Sequence, residues 1–315
     1  MKVLIIGGAG FIGYHLAKKY LDNNHHVEII DNFSRASKDS EIIHLSKNKN
    51  CKINNLDLIN KKIKLSNNFD IIYNLAAIVG VKNVNKSPEL VLKNNYLILL
   101  KSLEIAEKQK SLKKFFFMST SEIYAGTLEY FGLNFPTKEN TPITISNIFS
   151  KRTTYMLSKI HGEVHCINKK NLPYIIVRPH NIYGPRMGYA HVIPELIKKI
   201  EKGSKPILIK SSNHSRTFCY IDDAIDILYK VSKSKYTKII FNLGSDDKCI
   251  QILSLAKKIS KILNKKIELI KSTNEIGSPF KRIPDIGFIK KNFKTKFVKI
   301  DEGLLKTYNW YRKKL

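Results

Sequence analysis

Tyr155 and Lys159 form a Y-x-x-x-K pair at helical spacing, so one turn of helix brings both side chains to the same face. A phenol with an ordinary pKa of about 10 is a poor base near neutrality. An adjacent ammonium favours the phenolate and brings it toward working pH. The pair therefore predicts removal of a proton from an alcohol. A hydroxyl cluster, Ser119-Thr120-Ser121, follows the apolar run from Lys113 to Met118, at the strand end where open α/β sheets bind ligands. Near the start of the chain, Gly7-Gly8-Ala9-Gly10-Phe11-Ile12-Gly13 gives G-x-x-G-x-x-G spacing through Gly7, Gly10 and Gly13. That spacing predicts a tight turn whose main-chain N–H groups, with the positive end of a helix beginning at Phe11, meet a pyrophosphate. Asp31 follows about twenty residues later, placed to accept hydrogen bonds from ribose hydroxyls. Its charge would repel a 2′-phosphate, so NAD is expected rather than NADP, with Arg35 nearby moderating the preference. Asp57-Leu58 offers a place for the adenine, and Leu75-Ala76-Ala77 puts small side chains where the cofactor must pass close to the backbone.

These groups need a scaffold, and the first half of the chain alternates β-branched runs with longer amphipathic stretches, the pattern of a parallel sheet covered by helices. Strands are predicted at Lys2 to Ile6, His26 to Ile30, Cys51 to Ile53, Phe69 to Asn74, Lys113 to Met118 and Tyr174 to Arg178. Helices are predicted at Phe11 to Asp22, Pro88 to Lys108, with Pro in its first turn, and about Arg152 to Asn168. The stretch from Gly126 to Ser150 has two prolines and no sustained period, and reads as a loop over the top of the sheet. Beyond Arg178 the elements shorten: helices near Ile193 to Lys202, Asp222 to Lys233 and Ile252 to Leu263, strands near Pro206 to Lys210 and Lys238 to Leu243. The expected fold is α/β, a Rossmann doubly wound parallel sheet with a smaller C-terminal α/β substrate lobe. The division expected is 1–178 for the NAD-binding domain, with the Tyr/Lys helix, and 179–315 mainly for the substrate lobe, some segments returning to the first domain.

With 315 residues, 43% of them hydrophobic and 26% charged, the chain is long enough to bury about three-quarters of its unfolded surface. Disorder, collagen-like repeats and low complexity are excluded on composition. Four scattered cysteines lack metal-ligand spacing, so no metal site is expected and reduced thiols in the cytoplasm are. The apolar run after Met1 is too short for a signal peptide or a membrane span. A net charge of +29 would attract polyanions over a Debye length of about 8 Å. Yet only seven of the 55 basic residues are arginines, and the lysines are spread through nearly every segment. That reads as a solvated surface, not as a nucleic-acid site, so no specific nucleic acid and no membrane partner is expected.

The chain resembles the extended short-chain dehydrogenase/reductase family, the NAD-dependent epimerases and dehydratases of nucleotide sugars, over almost its whole length. The resemblance rests on the glycine turn, on Met118-Ser119-Thr120-Ser121-Glu122-Ile123-Tyr124, on Tyr155 to Lys159 with Ile160-His161-Gly162-Glu163, and on Arg178-Pro179-His180-Asn181-Ile182-Tyr183-Gly184-Pro185-Arg186. It implies that Thr120 hydrogen-bonds the hydroxyl being oxidised, Tyr155 removes its proton, and Lys159 holds the nicotinamide ribose. Phe11, Ile12, Asn32 and Asn95 join the cofactor contacts. The nucleotide-diphosphate sugar falls to Ser121, Asn181, Arg186, His191, Val192, Arg216 and Arg282, arginines serving as bidentate anchors for diphosphate. Glu122 resembles the carboxylate that handles a second proton near C5 and C6 in dehydratases and decarboxylases, its pKa open to upward tuning by burial. Ile98-Leu99, Ala125 and His180 depart from the usual pattern on the substrate side. The implied activity is oxidation at sugar C4 to a 4-keto nucleotide sugar, of C4 dehydrogenase or 4,6-dehydratase type, with a GDP-heptose or other surface-polysaccharide sugar as substrate. A 4-epimerase is the alternative, and an NAD-fold RNA-binding or redox-sensing protein the alternative of another class. Relatives pair through helices corresponding to Pro88 to Lys108 and Arg152 to Asn168, which implies a homodimer.

Overall fold

The computed structural model describes residues 1–60, 65, 67–203, 206–273 and 279–315. In chain order the elements are β1 (Lys2–Ile6), α1 (Phe11–Asp22), β2 (His26–Asp31), α2 (Ser40–Ser46), β3 (Cys51–Asn55), β4 (Ile71–Asn74), α3 (Val81–Lys86), α4 (Pro88–Glu107) and β5 (Lys114–Met118). A 3-10 turn over Ser121–Tyr124 leads into α5 (Ala125–Phe131), followed by α6 (Arg152–Asn168), β6 (Tyr174–Pro179), β7 (Ile182–Tyr183), α7 (Val192–Lys202), β8 (Ile207–Ile209), β9 (Ser215–Arg216) and β10 (Cys219–Tyr220). The chain ends with α8 (Ile221–Lys233), β11 (Ile239–Leu243), β12 (Ile250–Gln251), α9 (Ile252–Ile262), β13 (Leu269–Lys271), β14 (Lys281–Arg282), α10 (Gly287–Asn292) and α11 (Ile300–Arg312). It divides into two compact units: Met1–Gly126 with Ile143–Arg178 and Ile225–Phe241, and Thr127–Pro142 with Pro179–Ala224 and Asn242–Leu315.

The first unit is built on a seven-stranded sheet of order β11-β6-β5-β4-β1-β2-β3. The pairs β1/β2, β1/β4, β2/β3, β4/β5 and β5/β6 are all parallel. Helices on both faces remove water from both sides of each central strand, so these strands are continuous apolar runs without alternation. Val3, Leu4, Ile5 and Ile6 are essentially inaccessible, as are Phe115 and Phe116, and each such side chain contributes about 1.5–3 kcal/mol relative to exposure. Strand order reverses between β1 and β4, which opens the crevice at their carboxyl ends where doubly wound sheets take ligands. Buried polar groups tie the layers together. Tyr20 Oη shares a 2.8 Å hydrogen bond with Tyr73 Oη and donates to Ser232 Oγ at 2.6 Å, while Lys114 Nζ donates to the carbonyls of Val231 and Ser234, closing the last turn of α8.

The second unit carries short sheets, β10-β7, β12-β9-β14 and β13-β8, with α7, α9 and α11. The residue 126–150 loop needs correction at its start. Ala125 has helical φ −63° and ψ −41°, so α5 grows directly from the 3-10 turn, and a helix begun on an existing turn avoids the nucleation cost that would otherwise demand a long periodic run. No described helix is long and apolar enough to cross a membrane.

Candidate active site

Gly7 follows β1 with φ +83°, and a Cβ there would lie 2.6 Å from the Ala76 nitrogen. The glycine turn and the Leu75-Ala76-Ala77 segment therefore meet backbone to backbone, fixed by hydrogen bonds from Leu75 N and Ala76 N to the Ile6 carbonyl. A Cβ on Gly13 would run into the Gly7 carbonyl, so that position sets the approach of α1 to the turn. Gly10 is the N-cap of α1 and offers no side chain to the first N–H groups, with Phe11 and Ile12 opening the helix. An N-terminus left uncapped beside a cradle that side chains would fill suits a pyrophosphate.

Asp31, at the end of β2, accepts from Ala9 N at 3.0 Å and Phe33 N at 2.8 Å. It thus shapes the turn and keeps lone pairs for ribose hydroxyls. Burial raises its carboxyl above the ordinary value, opposed by those N–H donors and by Arg35. Asn32 Nδ2 donates to Asp57 Oδ2 at 3.1 Å, linking two of the expected adenosine contacts, beside buried Leu58. Asn95, on α4, is buried and grips the stretch after β4: its Oδ1 accepts from Ile78 N at 2.7 Å, and its amide donates to the Ile78 carbonyl and Ser158 Oγ. In this structure Asn95 is a brace for the cofactor-side loop.

The reactive groups gather at the end of β5 and on α6, all within the first unit. Thr120 is the N-cap of the 3-10 turn, its Oγ1 accepting from Glu122 N at 3.2 Å, with Ser121 buried beside it. Lys159 Nζ, buried, donates to the Met118 carbonyl at 2.8 Å and lies 5.9 Å from the centre of the Tyr155 ring. Burial pushes its ammonium down to about 8, with Glu163 and Cys166 acting the other way.

Beneath these residues lies a network that sequence reasoning did not assign. Glu163, one turn beyond Lys159, accepts from Arg178 Nε at 3.0 Å and Nη2 at 2.6 Å, and from Ser119 Oγ at 2.5 Å. Arg178 also donates to Tyr124 Oη at 2.8 Å. The four side chains are buried, so a carboxylate at Tyr155 plus eight, on the inward face of a helix, was the available signal that a buried cation must face it. Arg152 was also missed. Its Nη2 donates to Glu122 Oε1 at 3.0 Å, and its position three residues before Tyr155 on the same helix was visible in the spacing.

In the second unit, Arg216 and Arg282 are Cα partners across the parallel β9/β14 pair. The Arg216 guanidinium donates to the carbonyls of Ser215, Phe280 and Pro279, which orders the strand that carries Arg282. Asn181, with φ +43°, donates to the Thr217 carbonyl at 3.0 Å, bringing it to the same group. Arg186, with φ +68°, lies on the connection into α7, His191 holds the N-cap position of that helix without a side-chain bond, and Val192 is its first residue.

The NAD dependent epimerase/dehydratase family matches residues 3–244. Among characterised relatives, the UDP-N-acetyl-alpha-D-glucosaminuronate decarboxylase of Bacillus cytotoxicus is 33% identical, the alignment covering 99% of this chain and 98% of that protein. The dTDP-D-glucose 4,6-dehydratase of Dictyostelium discoideum is 30% identical over 83% of this chain and 62% of its own length. Among solved structures, UDP-glucuronic acid 4-epimerase from Bacillus cereus, in complex with UDP-glucuronic acid and NAD, superposes with a TM-score of 0.85 at 27% identity and full coverage of both chains.

Proposed function

The chain belongs to the NAD dependent epimerase/dehydratase family, and from that premise we propose that its reaction begins by oxidising C4 of a nucleotide-diphosphate sugar to the 4-keto species. The observation that carries this reading is the Lys159 ammonium, anchored on the Met118 carbonyl two residues before Thr120 and one helical turn from Tyr155. NAD, when bound, supplies the acceptor for the C4 hydride. Gly7, Gly10 and Gly13 would admit its pyrophosphate, and Asp31 its ribose. Tyr155 takes the proton of the C4 hydroxyl. One Lys159 N–H is held by Met118, leaving the other two for the phenolate and a ribose hydroxyl. Thr120 Oγ1 accepts from Glu122 N, which leaves its hydroxyl proton to donate to the substrate oxygen.

A 4-keto sugar is a common branch point in chemical terms. With a carboxylate at C6 it is a β-keto acid that loses carbon dioxide, with a C6 hydroxyl it eliminates water, and rereduced from the opposite face it becomes the C4 epimer. The relatives' names favour a UDP or dTDP sugar over a GDP-heptose. Asn181, Arg216 and Arg282 are proposed for the diphosphate end. Exposed Leu90 and Leu92 on α4, with Val164 and Ile167 on α6, support a homodimer through these helices, and four free cysteines support a reducing cytoplasm. Incubating the NAD-loaded protein with UDP-glucuronate, UDP-glucose, dTDP-glucose and GDP-sugars, while following reduced-nicotinamide absorbance and product mass, tests the reading. Reduction of the cofactor, with loss of carbon dioxide, of water, of two hydrogens or an unchanged mass, identifies the branch. No reduction and no product from any sugar would refute C4 oxidation.

A further inference from the structure

We propose that Arg152 is the residue through which this site selects a sugar bearing a carboxylate at C6, a reading that rests on C4 being placed against Thr120 and Tyr155. Arg152 opens α6 one turn ahead of Tyr155 and on its face, and it reaches Glu122, two residues past Thr120. The pair thus borders the position of the reacting carbon, and C6 lies one bond beyond C5, the neighbour of C4.

Two arginine–glutamate pairs among the described residues of this unit differ in kind. Arg178 and Glu163 are joined through two nitrogens and both carboxylate oxygens, with side chains only 4% exposed. Arg152 meets Glu122 through one nitrogen, and the two side chains are 23% and 20% exposed. Among the described residues this is the one hydrogen bond its guanidinium makes, so four of its five N–H donors, including a complete fork, stay available for a second carboxylate. A guanidinium can grip two carboxylates at once by different edges, whereas an ammonium acts as a point charge. Arginine here is notable in a chain where lysine supplies nearly every other cation. The fork is filled by the substrate's C6 carboxylate, which is desolvated as the sugar enters and is held coplanar with the guanidinium while Glu122 stays on the remaining edge.

The test measures binding of UDP-glucuronate and UDP-glucose by calorimetry to the NAD-loaded Tyr155→Phe protein, which blocks turnover, with and without Arg152→Met and Arg152→Lys. The parent should prefer UDP-glucuronate by about tenfold or more. Arg152→Met should bring the ratio of the two affinities to about one, and Arg152→Lys should restore part of it. A parent with no preference for the uronate would overturn the proposal. So would Arg152→Met binding the uronate as tightly as the parent, or weakening both sugars equally, since the latter makes Arg152 a support for Glu122 alone. Retained NAD binding, read by cofactor content, shows that each variant is folded. Reduction of the cofactor by either sugar in the Tyr155-containing protein tests C4 oxidation separately, so the two readings fail by different observations.

Discussion

Lys159 carries opposing influences: burial pulls its proton off, and Glu163, one turn away, holds it on. Its ammonium is the form that favours the Tyr155 phenolate, so the working pH range follows from its titration. With the ammonium brought down to about 8, kcat is expected to fall as pH rises through about 8, because the lysine becomes neutral and its support for the phenolate is withdrawn. Glu163→Gln removes the charge that holds the proton and leaves Arg178 beside it, so both effects lower the Lys159 pKa further. The alkaline fall should move to lower pH in that variant, as read from a kcat–pH profile; an unmoved limb would detach Lys159 from it. Tyr155→Phe should retain NAD and lose about a thousandfold in turnover, within the usual range for a general base. Cofactor content and reduced-nicotinamide absorbance measure the two halves of that expectation.

At the scale of elements, α6 organises the site. It carries Arg152, Tyr155, Lys159 and Glu163 on successive turns, and the Glu163–Arg178 pair binds it to the end of β6. Arg178→Met leaves a buried carboxylate uncompensated and should cost about 3–5 kcal/mol of unfolding free energy, with the Arg178→Met/Glu163→Gln double variant costing less than the two singles together. Urea denaturation measures all three, and strict additivity would show that the pair does not act as a unit. Much of this arrangement was legible in sequence because it is local. The apolar run before Gly7, the glycine spacing, the Y-x-x-x-K turn and the continuous apolar strands each state their own geometry. In residues 300–312 the sequence also held a signal, Leu304, Thr307, Tyr308 and Tyr311 at helical spacing behind acidic Asp301 and Glu302, that would have supported α11, whereas α5 exists because a turn already precedes it. The partners of Glu122 and Glu163 lie 30 and 15 residues away, and only folding reveals which cation meets which carboxylate. Ala125 is accommodated because it adopts helical angles, while Gly126 is where a Cβ would collide with the Thr144 carbonyl.

For the molecule as a whole, the parallel sheet reverses its strand order between β1 and β4, the place where doubly wound sheets take ligands, and the chain holds its glycine turn and its Tyr/Lys helix in the same unit as that reversal. The exposed apolar residues of α6 belong to the proposed dimer. Val164→Lys combined with Ile167→Lys is expected to halve the mass seen by light scattering, and an unchanged dimer would remove α6 from the interface. The central claim, hydride removal from C4 by a Tyr155-dependent step, is tested most directly with a UDP-glucuronate carrying deuterium at C4. In a single turnover quenched at a series of times while the nicotinamide is reduced, mass spectrometry of the extracted cofactor should find that deuterium on the nicotinamide, and Tyr155→Phe should abolish the transfer. Product formed with no deuterium on the nicotinamide at any quench time would contradict the account.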